Sequence, residues 1–495
     1  MNILFVENKL RVDKLGILYL SAVLKSAGHT VNMIEDSVTP VDEYLRNNNV
    51  DFVMYSVMSG EHPWYFERNQ QLKKKFTFTS IFGGPHFTLF ADDVLEDETI
   101  DHVVVGPAEC VINEIVSGEI SEKVIKGSIP ADVNTILPPD REMLYQYDEF
   151  GKANMKRFIA GRDCPMACSY CFNHSLRKVF KDQKQRFFQR TSPRRMVDEI
   201  KAVRDRYGLK TVYFNDDDWV EDHDWVREFC RIYKEEVNLP FCGSVKAKNV
   251  TEEIVRIMAD ASCHFMNVAI ESANRKTQIL IRRGWQNNEQ IAEAVRLFES
   301  HGVMVRTQNI IGLPADNPLE DALETYEFNI KLNPTDSWAA ILQPFYGTDI
   351  WKVCKDKGYI QEGVDCKKFY EGTPLSIPNK REIENLHKWW YFAVKYKIPV
   401  DFLKIILQQD LSEEVKKQIQ DYRWEMTAKE IYGLDTEDET ETKMDNADYQ
   451  VTDMDGELLN DPDSPWGSSG EGGNLKFPFP PRNNDACADN DSGKK

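Results

Sequence analysis

Two periodicities alternate along this chain. Short apolar runs rich in β-branched and aromatic residues read as strands: NILFVE (2–7), TVNMIE (30–35), DFVMYS (51–56), FTSIFGG (78–84) and DHVVVG (101–106). Helical runs separate them; the first, Leu15 to Ser26, carries Leu18, Leu20, Ala22, Val23 and Leu24. Strands spaced by helices predict a parallel, doubly wound sheet, and five of them suit a flavodoxin-like, Rossmann-type layer. Ligands of such sheets lie beyond the carboxyl ends of the strands.

The pattern lapses over 118–156, where Gly118, Gly127, Pro130, Pro138 and Pro139 punctuate a connector. A second βα series begins at Lys156. Its strands are RFIAG (157–161), TVYFN (211–215), PFCGSVKAK (240–248), HFMNVAI (264–270), VMVRTQNIIGLP (303–314) and SWAAILQPF (337–345). Ser192-Pro193 starts a helix with Met196, Val197, Ile200 and Val203 on one face, and Gly208 closes it. Six βα units predict a partial parallel (β/α)6 barrel, with its working residues at the carboxyl ends of the strands.

After Trp351 the chain turns helical. The stripe Leu386, Trp389, Trp390, Ala393 and Val394 reads as core packing, and FLKIILQQD (402–410) and a helix to about Tyr432 follow. From Asp435 acids, Gly, Ser, Asn and Pro dominate, which predicts a disordered acidic tail; within it KFPFPPR (476–482) reads as solvated chain or a short docking motif. The expected division is 1–125, connector 126–155, barrel 156–350, helical module 351–432 and tail 433–495.

Composition changes this picture in three places. The net charge of −20 argues against a nucleic-acid partner, and over half of it sits in the tail, where sixteen acids face five bases from Asp435 on. No apolar run reaches about 18 residues, so no membrane span is expected. The start, MNILFVENKLRVDKLG, lacks a signal peptide's basic head and long apolar core, which predicts a cytoplasmic protein. Of ten cysteines, Cys110, Cys230, Cys242, Cys263, Cys354, Cys366 and Cys487 are scattered and read mostly as small buried hydrophobes in a reducing compartment.

The other three, Cys164, Cys168 and Cys171, stand at C-x3-C-x2-C spacing in GRDCPMACSYCFNH (161–174). Three thiolates in one loop can ligate three irons of a 4Fe–4S cube and leave the fourth open for a small molecule. With His174 they can also make a Cys3His zinc site. The spacing alone leaves both chemistries open.

With Tyr170 as the aromatic, C-x3-C-x-aromatic-C resembles the signature of radical S-adenosylmethionine (SAM) enzymes. That resemblance implies a 4Fe–4S cluster on Cys164, Cys168 and Cys171. It implies SAM chelated to the open iron and cleaved reductively to a 5′-deoxyadenosyl radical, with an electron donor such as flavodoxin or ferredoxin. The family usually has Arg-Gly before the first cysteine; here Arg162-Asp163 stands there. Asp216 and Asp217 resemble the family's acidic pair, placed to accept from the SAM ammonium. Glu271-Ser272 resembles its ribose-binding pair and Arg283-Gly284 its basic-Gly step. Gly312, in Ile311-Gly312-Leu313-Pro314, resembles its adenine-side turn, and Pro344, Gly347 and Thr348 its Pro-x-x-Gly-Thr turn.

The strand ends of the first sheet carry Gly16, Ser56, Ser59, Gly83-Gly84-Pro85-His86, Gly106 and Glu109. Singly each reads as turn chemistry. Ahead of the cysteine loop they resemble the cobalamin-binding domain of cobalamin-dependent radical SAM proteins, although the usual Gly-Glu-x-Glu reads Gly106-Pro107-Ala108-Glu109. No Asp-x-His-x-x-Gly motif occurs, so a histidine ligand below cobalt is not expected. The resemblance implies methyl transfer to an unactivated carbon of a small-molecule or peptide substrate. Radical rearrangement or oxidative cyclisation is the alternative. A tRNA methylthiotransferase fits less well, because only Cys110 lies in the first segment and the C-terminus is acidic. A zinc-stabilised, non-catalytic module is the remaining reading.

Overall fold

The structure is a computed structural model, described here over residues 1–10, 13–91, 95–162, 164–183, 188–361 and 372–431. Asp163, Cys366, Cys487, the acidic tail and its KFPFPPR segment lie outside the described residues.

The first sheet contains β1 (Asn2–Glu7), β2 (Thr30–Glu35), β3 (Phe52–Ser56), β4 (Thr79–Gly83), β5 (His102–Val105) and β6 (Val124–Lys126), all parallel, in the order β2-β1-β3-β4-β5-β6. Five match the expected strands. The sixth, β6, falls in the expected connector; three residues with one buried side chain are too short to show a period. The chain order of β1 to β5 reverses between β1 and β3, which is where such a sheet opens a crevice. Buried Phe5, Met54, Ile81 and Val104 floor that region.

A short antiparallel ribbon, β8 (Gly161–Arg162) with β9 (Gln189–Arg190), brackets the cysteine loop. The second sheet orders β14-β13-β12-β11-β10-β7, again all parallel: β7 (Met155–Phe158), β10 (Thr211–Phe214), β11 (Phe241–Val245), β12 (Cys263–Glu271), β13 (Met304–Ile311) and β14 (Asp336–Ile341). Neighbours in space are neighbours in sequence, and β7 does not pair with β14. This is an open, partial barrel. Helix Pro193–Tyr207 forms as its ends dictate: the Ser192 hydroxyl accepts from Arg195 N, and Gly208 follows at φ +75°. Helix Lys380–Lys395 lies on the β14 side, where the Trp390 indole donates to Ser337 Oγ (2.8 Å). Trp390, Leu386 and Ile383 close one core with Ile311 and Ile341.

The main core is continuous from Ile3 and Phe5, through Met143, Leu144 and Phe150 of the connector, to Phe214 and Val268 of the barrel. Cys230, Cys242, Cys263 and Cys354 are buried and Cys110 is exposed. Among the described residues no helix is long and apolar enough to cross a membrane.

Candidate active site

The cysteine loop runs from β8 to helix Phe172–Val179, beyond the carboxyl end of β7. Its backbone is tied to two other strand-end loops: Ser169 N donates to Ile281 O (3.0 Å), and Ile350 N donates to Ser169 O (2.9 Å). The Arg177 guanidinium donates to the carbonyls of Cys164 and Met166. Cys164 and Cys168 are buried and Cys171 is half-buried. Burial pushes the Cys171 thiol up to about 12, and the charges of Asp217, Cys168 and Cys164 add to that rise. Burial also raises Cys164, against the pull of Lys246. The Lys246 ammonium sits 3.2 Å from Asp218 and 3.3 Å from Glu221, within reach of the Cys164 sulfur. Arg283 places Nη1 3.8 Å from Cys168 Sγ.

A thiolate set with buried cationic donors beside it fits an iron–sulfur cluster, whose sulfurs accept such hydrogen bonds. Zinc fits less well. His174, its expected fourth ligand, faces Asp349 (3.2 Å) and Arg282 (3.0 Å). No three His, Cys, Asp or Glu among the described residues converge on a single ion position.

The polar residues at the strand ends divide in two. Asp216 is buried, and its oxygens accept from Ala160 N (2.9 Å) and Gly161 N (2.7 Å), with Arg190 at 3.4 Å. It braces the chain entering the loop. Asp217 beside it is solvent-accessible, holds Asn173 (2.7 Å) and projects its charge onto Cys164 and Cys171. Glu271 stands at a bulge: Ala269 pairs with Gln308 and Glu271 with the next residue, Asn309. The extra residue leaves Glu271 at φ +66°, a left-handed conformation that costs a non-glycine residue about 1–2 kcal/mol. The bulge turns its carboxylate to the Tyr170 hydroxyl (2.9 Å) and the Arg283 guanidinium (3.7 Å). Burial raises its carboxyl, against Arg283 and Tyr170. Half-buried Tyr170 and Glu271 and buried Arg283 thus form one group beside Cys168.

Ser272 points elsewhere. It is fully buried and donates to Asp321 Oδ1 (3.0 Å). Gly312, at φ +73°, directs its missing side chain at Ile377 and Ile383 of the helical module, both 3.5 Å from a Cβ placed there. Burial pushes the Asp321 carboxyl up to about 6, against hydrogen bonds from Thr277 and Ser272. The folded state then holds this proton more tightly than the unfolded chain. The stabilisation is complete below about pH 4 and is lost as pH rises through 6, by about 3 kcal/mol. Asp321→Asn is expected to flatten that limb of a pH–stability curve measured by urea unfolding.

A second cleft lies beyond β1, β3, β4 and β5. Gly16, Ser56, Gly83, Gly84, Gly106 and Glu109 line it over an otherwise apolar floor. Ser59 and His86 are not among its walls: they contact each other (3.2 Å), and His86 stacks on His62 (4.1 Å). The six lining residues differ in what they make room for. A Cβ at Gly16 would meet nothing within 4 Å, and one at Gly83 only Val104 O at 3.8 Å. Gly84 and Gly106 make room for the protein itself: their Cβ atoms would meet Val57 N at 2.7 Å and Phe180 Cζ at 2.2 Å. An apolar floor with two positions free of side chain fits the face of a flat macrocycle such as a corrin. Arg162 also lines this cleft; its guanidinium pairs with Glu109 (2.5 Å) and lies 4.8 Å over the Tyr19 ring.

Residue typing missed Arg162, Lys246 and Phe180 as site residues. Arg162 was marked only by its place before Asp163. Lys246 is a strand-end residue with no motif around it. Phe180 is announced by nothing local.

Comparison with known proteins finds two known domains in this chain. The family model described as B12 binding domain matches residues 1–116, and Radical SAM superfamily matches 158–328. An uncharacterized methyltransferase, PH0819, of Pyrococcus horikoshii is 25% identical over 293 residues, which is 55% of this chain and 62% of that protein. The chain thus spans under two thirds of that relative's length. Cytidylyl-2-hydroxyethylphosphonate methyltransferase of Streptomyces wedmorensis is 22% identical over 70% of this chain and 78% of its own. Two solved structures share the fold. The radical SAM methyltransferase TsrM of Kitasatospora setae, with cobalamin and a 4Fe–4S cluster bound, superposes with TM-score 0.58 at 15% identity, over 73% of this chain and 76% of TsrM. The cobalamin-dependent SAM radical enzyme OxsB gives TM-score 0.62 at 14% identity, over 87% and 71%. A radical SAM domain implies a 4Fe–4S cluster and SAM, and a B12 binding domain supports cobalamin. The chain therefore carries a B12 binding domain over residues 1–116 and, after it, a radical SAM domain over residues 158–328.

Proposed function

We propose that this protein is a cobalamin-dependent radical SAM methyltransferase acting on an unactivated carbon. The observation that carries the reading is Arg162. It stands two residues before Cys164, yet its guanidinium lines the cleft of the first sheet against Glu109. Cluster loop and cobalamin cleft therefore share a wall, as a transfer between two cofactors requires. Bound together, the cluster and SAM supply a carbon-centred radical and cobalamin a transferable methyl group.

The chain's own residues position and exclude. Cys164, Cys168 and Cys171 hold the cluster. Asp217 receives the SAM ammonium, a charge-assisted contact, and Glu271, held by Tyr170 and Arg283, takes the ribose hydroxyls. Asp216, Ser272 and Gly312 fix the backbone that carries these groups. Gly16 and Gly83 leave space for the corrin. The apolar floor formed by Phe5, Met54, Ile81 and Val104 keeps water from that face. The methyltransferase names of two relatives support methyl transfer over rearrangement or cyclisation. We read the protein as cytoplasmic, divided as the sequence suggests, with a small molecule or peptide as substrate.

The test is anaerobic purification with cobalamin supplied, followed by incubation with methyl-deuterated SAM and cell extract. Both 5′-deoxyadenosine and S-adenosylhomocysteine are expected, with the label on a new carbon. Production of 5′-deoxyadenosine without S-adenosylhomocysteine would favour rearrangement or cyclisation instead.

A further inference from the structure

We propose that the surface beside the cysteine loop docks an acidic, low-potential one-electron carrier protein. The proposal rests on the reading above only in that the cluster must be reduced from outside. One electron leaves the carrier and one enters the cluster for each SAM cleaved, with no proton moved.

Helix Phe172–Val179 begins on a cluster ligand, Cys171. His174 and Lys178 follow at i+3 and i+7, so all three lie along one face, and Lys178 stands about 10 Å along the axis from Cys171. The Lys178 ammonium is 2.7 Å from Asp349 Oδ1; Arg282 Nη1 is 2.5 Å from Oδ2 and His174 3.2 Å from it. Lys178 and Arg282 keep 47% and 49% of their side chains exposed. One carboxylate thus faces two permanent cations. On a chain of net charge −20, this is a local reversal of sign.

An aromatic row adjoins the cations. Trp351, on the same helix as Asp349, lies 4.6 Å from Tyr346, and Tyr346 lies 5.5 Å from Phe90 (ring centroids). Tyr346 is 56% exposed, and the Lys355 ammonium sits 5.0 Å over the Trp351 ring. An exposed tyrosine backed by half-buried Trp351 and Phe90, beside Lys and Arg, has the make-up of an interface centre. The basic flank selects for an acidic partner and steers its approach. Redox encounters of this kind bury little area and turn over quickly.

The experiment follows the loss of visible absorbance of the reconstituted cluster in the full chain, in a stopped-flow instrument. The reductant is reduced ferredoxin in one arm and dithionite in the other. At low salt, Lys178→Glu with Arg282→Glu should slow reduction by ferredoxin about tenfold and leave dithionite reduction unchanged. Added salt should slow the unaltered protein and not the variant. Asp349→Asn removes the one carboxylate and should act in the opposite direction, raising the ferredoxin rate. Equal ferredoxin rates, or equal slowing with both reductants, overturn the docking site. Retention of an RNA oligonucleotide by this face, with ferredoxin rates unchanged, overturns it too. A chain that takes up no cluster overturns this proposal and the proposed function together; a loaded, reducible cluster indifferent to these variants overturns the docking alone.

Discussion

Alanine at Cys164, Cys168 or Cys171 is expected to lower 5′-deoxyadenosine formation by more than about a hundredfold, because losing a ligand costs more than losing a supporting contact. The three are not interchangeable with the other cysteines. Cys171 feels the charge of the other two sulfurs, and each of the three has a charged group beside it: Lys246 at Cys164, Arg283 at Cys168, Asp217 at Cys171. Cys230 is the control. It is buried among Phe229, Tyr233 and Val226, so Cys230→Ala should cost about 1–2 kcal/mol of stability and leave iron and sulfide content unchanged. The measurement is iron and sulfide per chain after anaerobic reconstitution, with 5′-deoxyadenosine quantified by chromatography. Undiminished product from a triple Cys→Ala chain would end the radical reading. One zinc per chain with no sulfide would revive the Cys3His alternative, although His174 would first have to leave Asp349 and Arg282.

Both sheets were legible because parallel strands are buried on both faces and show as continuous apolar runs, as in NILFVE and HFMNVAI. The loop cysteines were legible because spacing alone brings them together. What a run of acids does was not legible. Asp216 and Asp217 are adjacent and chemically alike, yet one is consumed by the amides of Ala160 and Gly161 and the other faces the thiols. Alternation of side chains at a strand end decides between them, and that needs the register of β10 against β7. Ser272 escaped for the same reason, since the bulge that aims Glu271 at Tyr170 leaves its neighbour facing Asp321. Arg162 and Phe180 were hidden more deeply: their partners, Glu109 and Gly106, lie more than fifty residues earlier in another sheet.

Gly106 and Gly16 both line the cleft of the first sheet, and alanine at the two positions should separate folding from ligand binding. Gly106 sits at φ +83°, and a Cβ there would lie 2.2 Å from Phe180 Cζ and 2.4 Å from Cε2. Phe180 is fully buried and follows the helix that starts at Cys171, so it is held from the cluster side. Gly106→Ala should therefore cost about 2–5 kcal/mol, combining left-handed strain with overpacking. In a Phe180→Ala background the clash is gone and only the strain remains, about 1–2 kcal/mol. Urea unfolding of the four proteins gives the coupling; equal costs in both backgrounds would show that Phe180 is not what this glycine accommodates. Gly16 behaves oppositely. It lies in the first turn of helix Leu15–Ser26 with no atom within 4 Å of its Cβ position, so alanine there should leave stability unchanged or raise it by up to about 1 kcal/mol. If a corrin face occupies that space, the same methyl group stands against it, and cobalamin retained per chain after desalting should fall about tenfold in a protein that is otherwise at least as stable. Full retention by Gly16→Ala would mean that the ring does not rest on this turn, whatever the family resemblance implies.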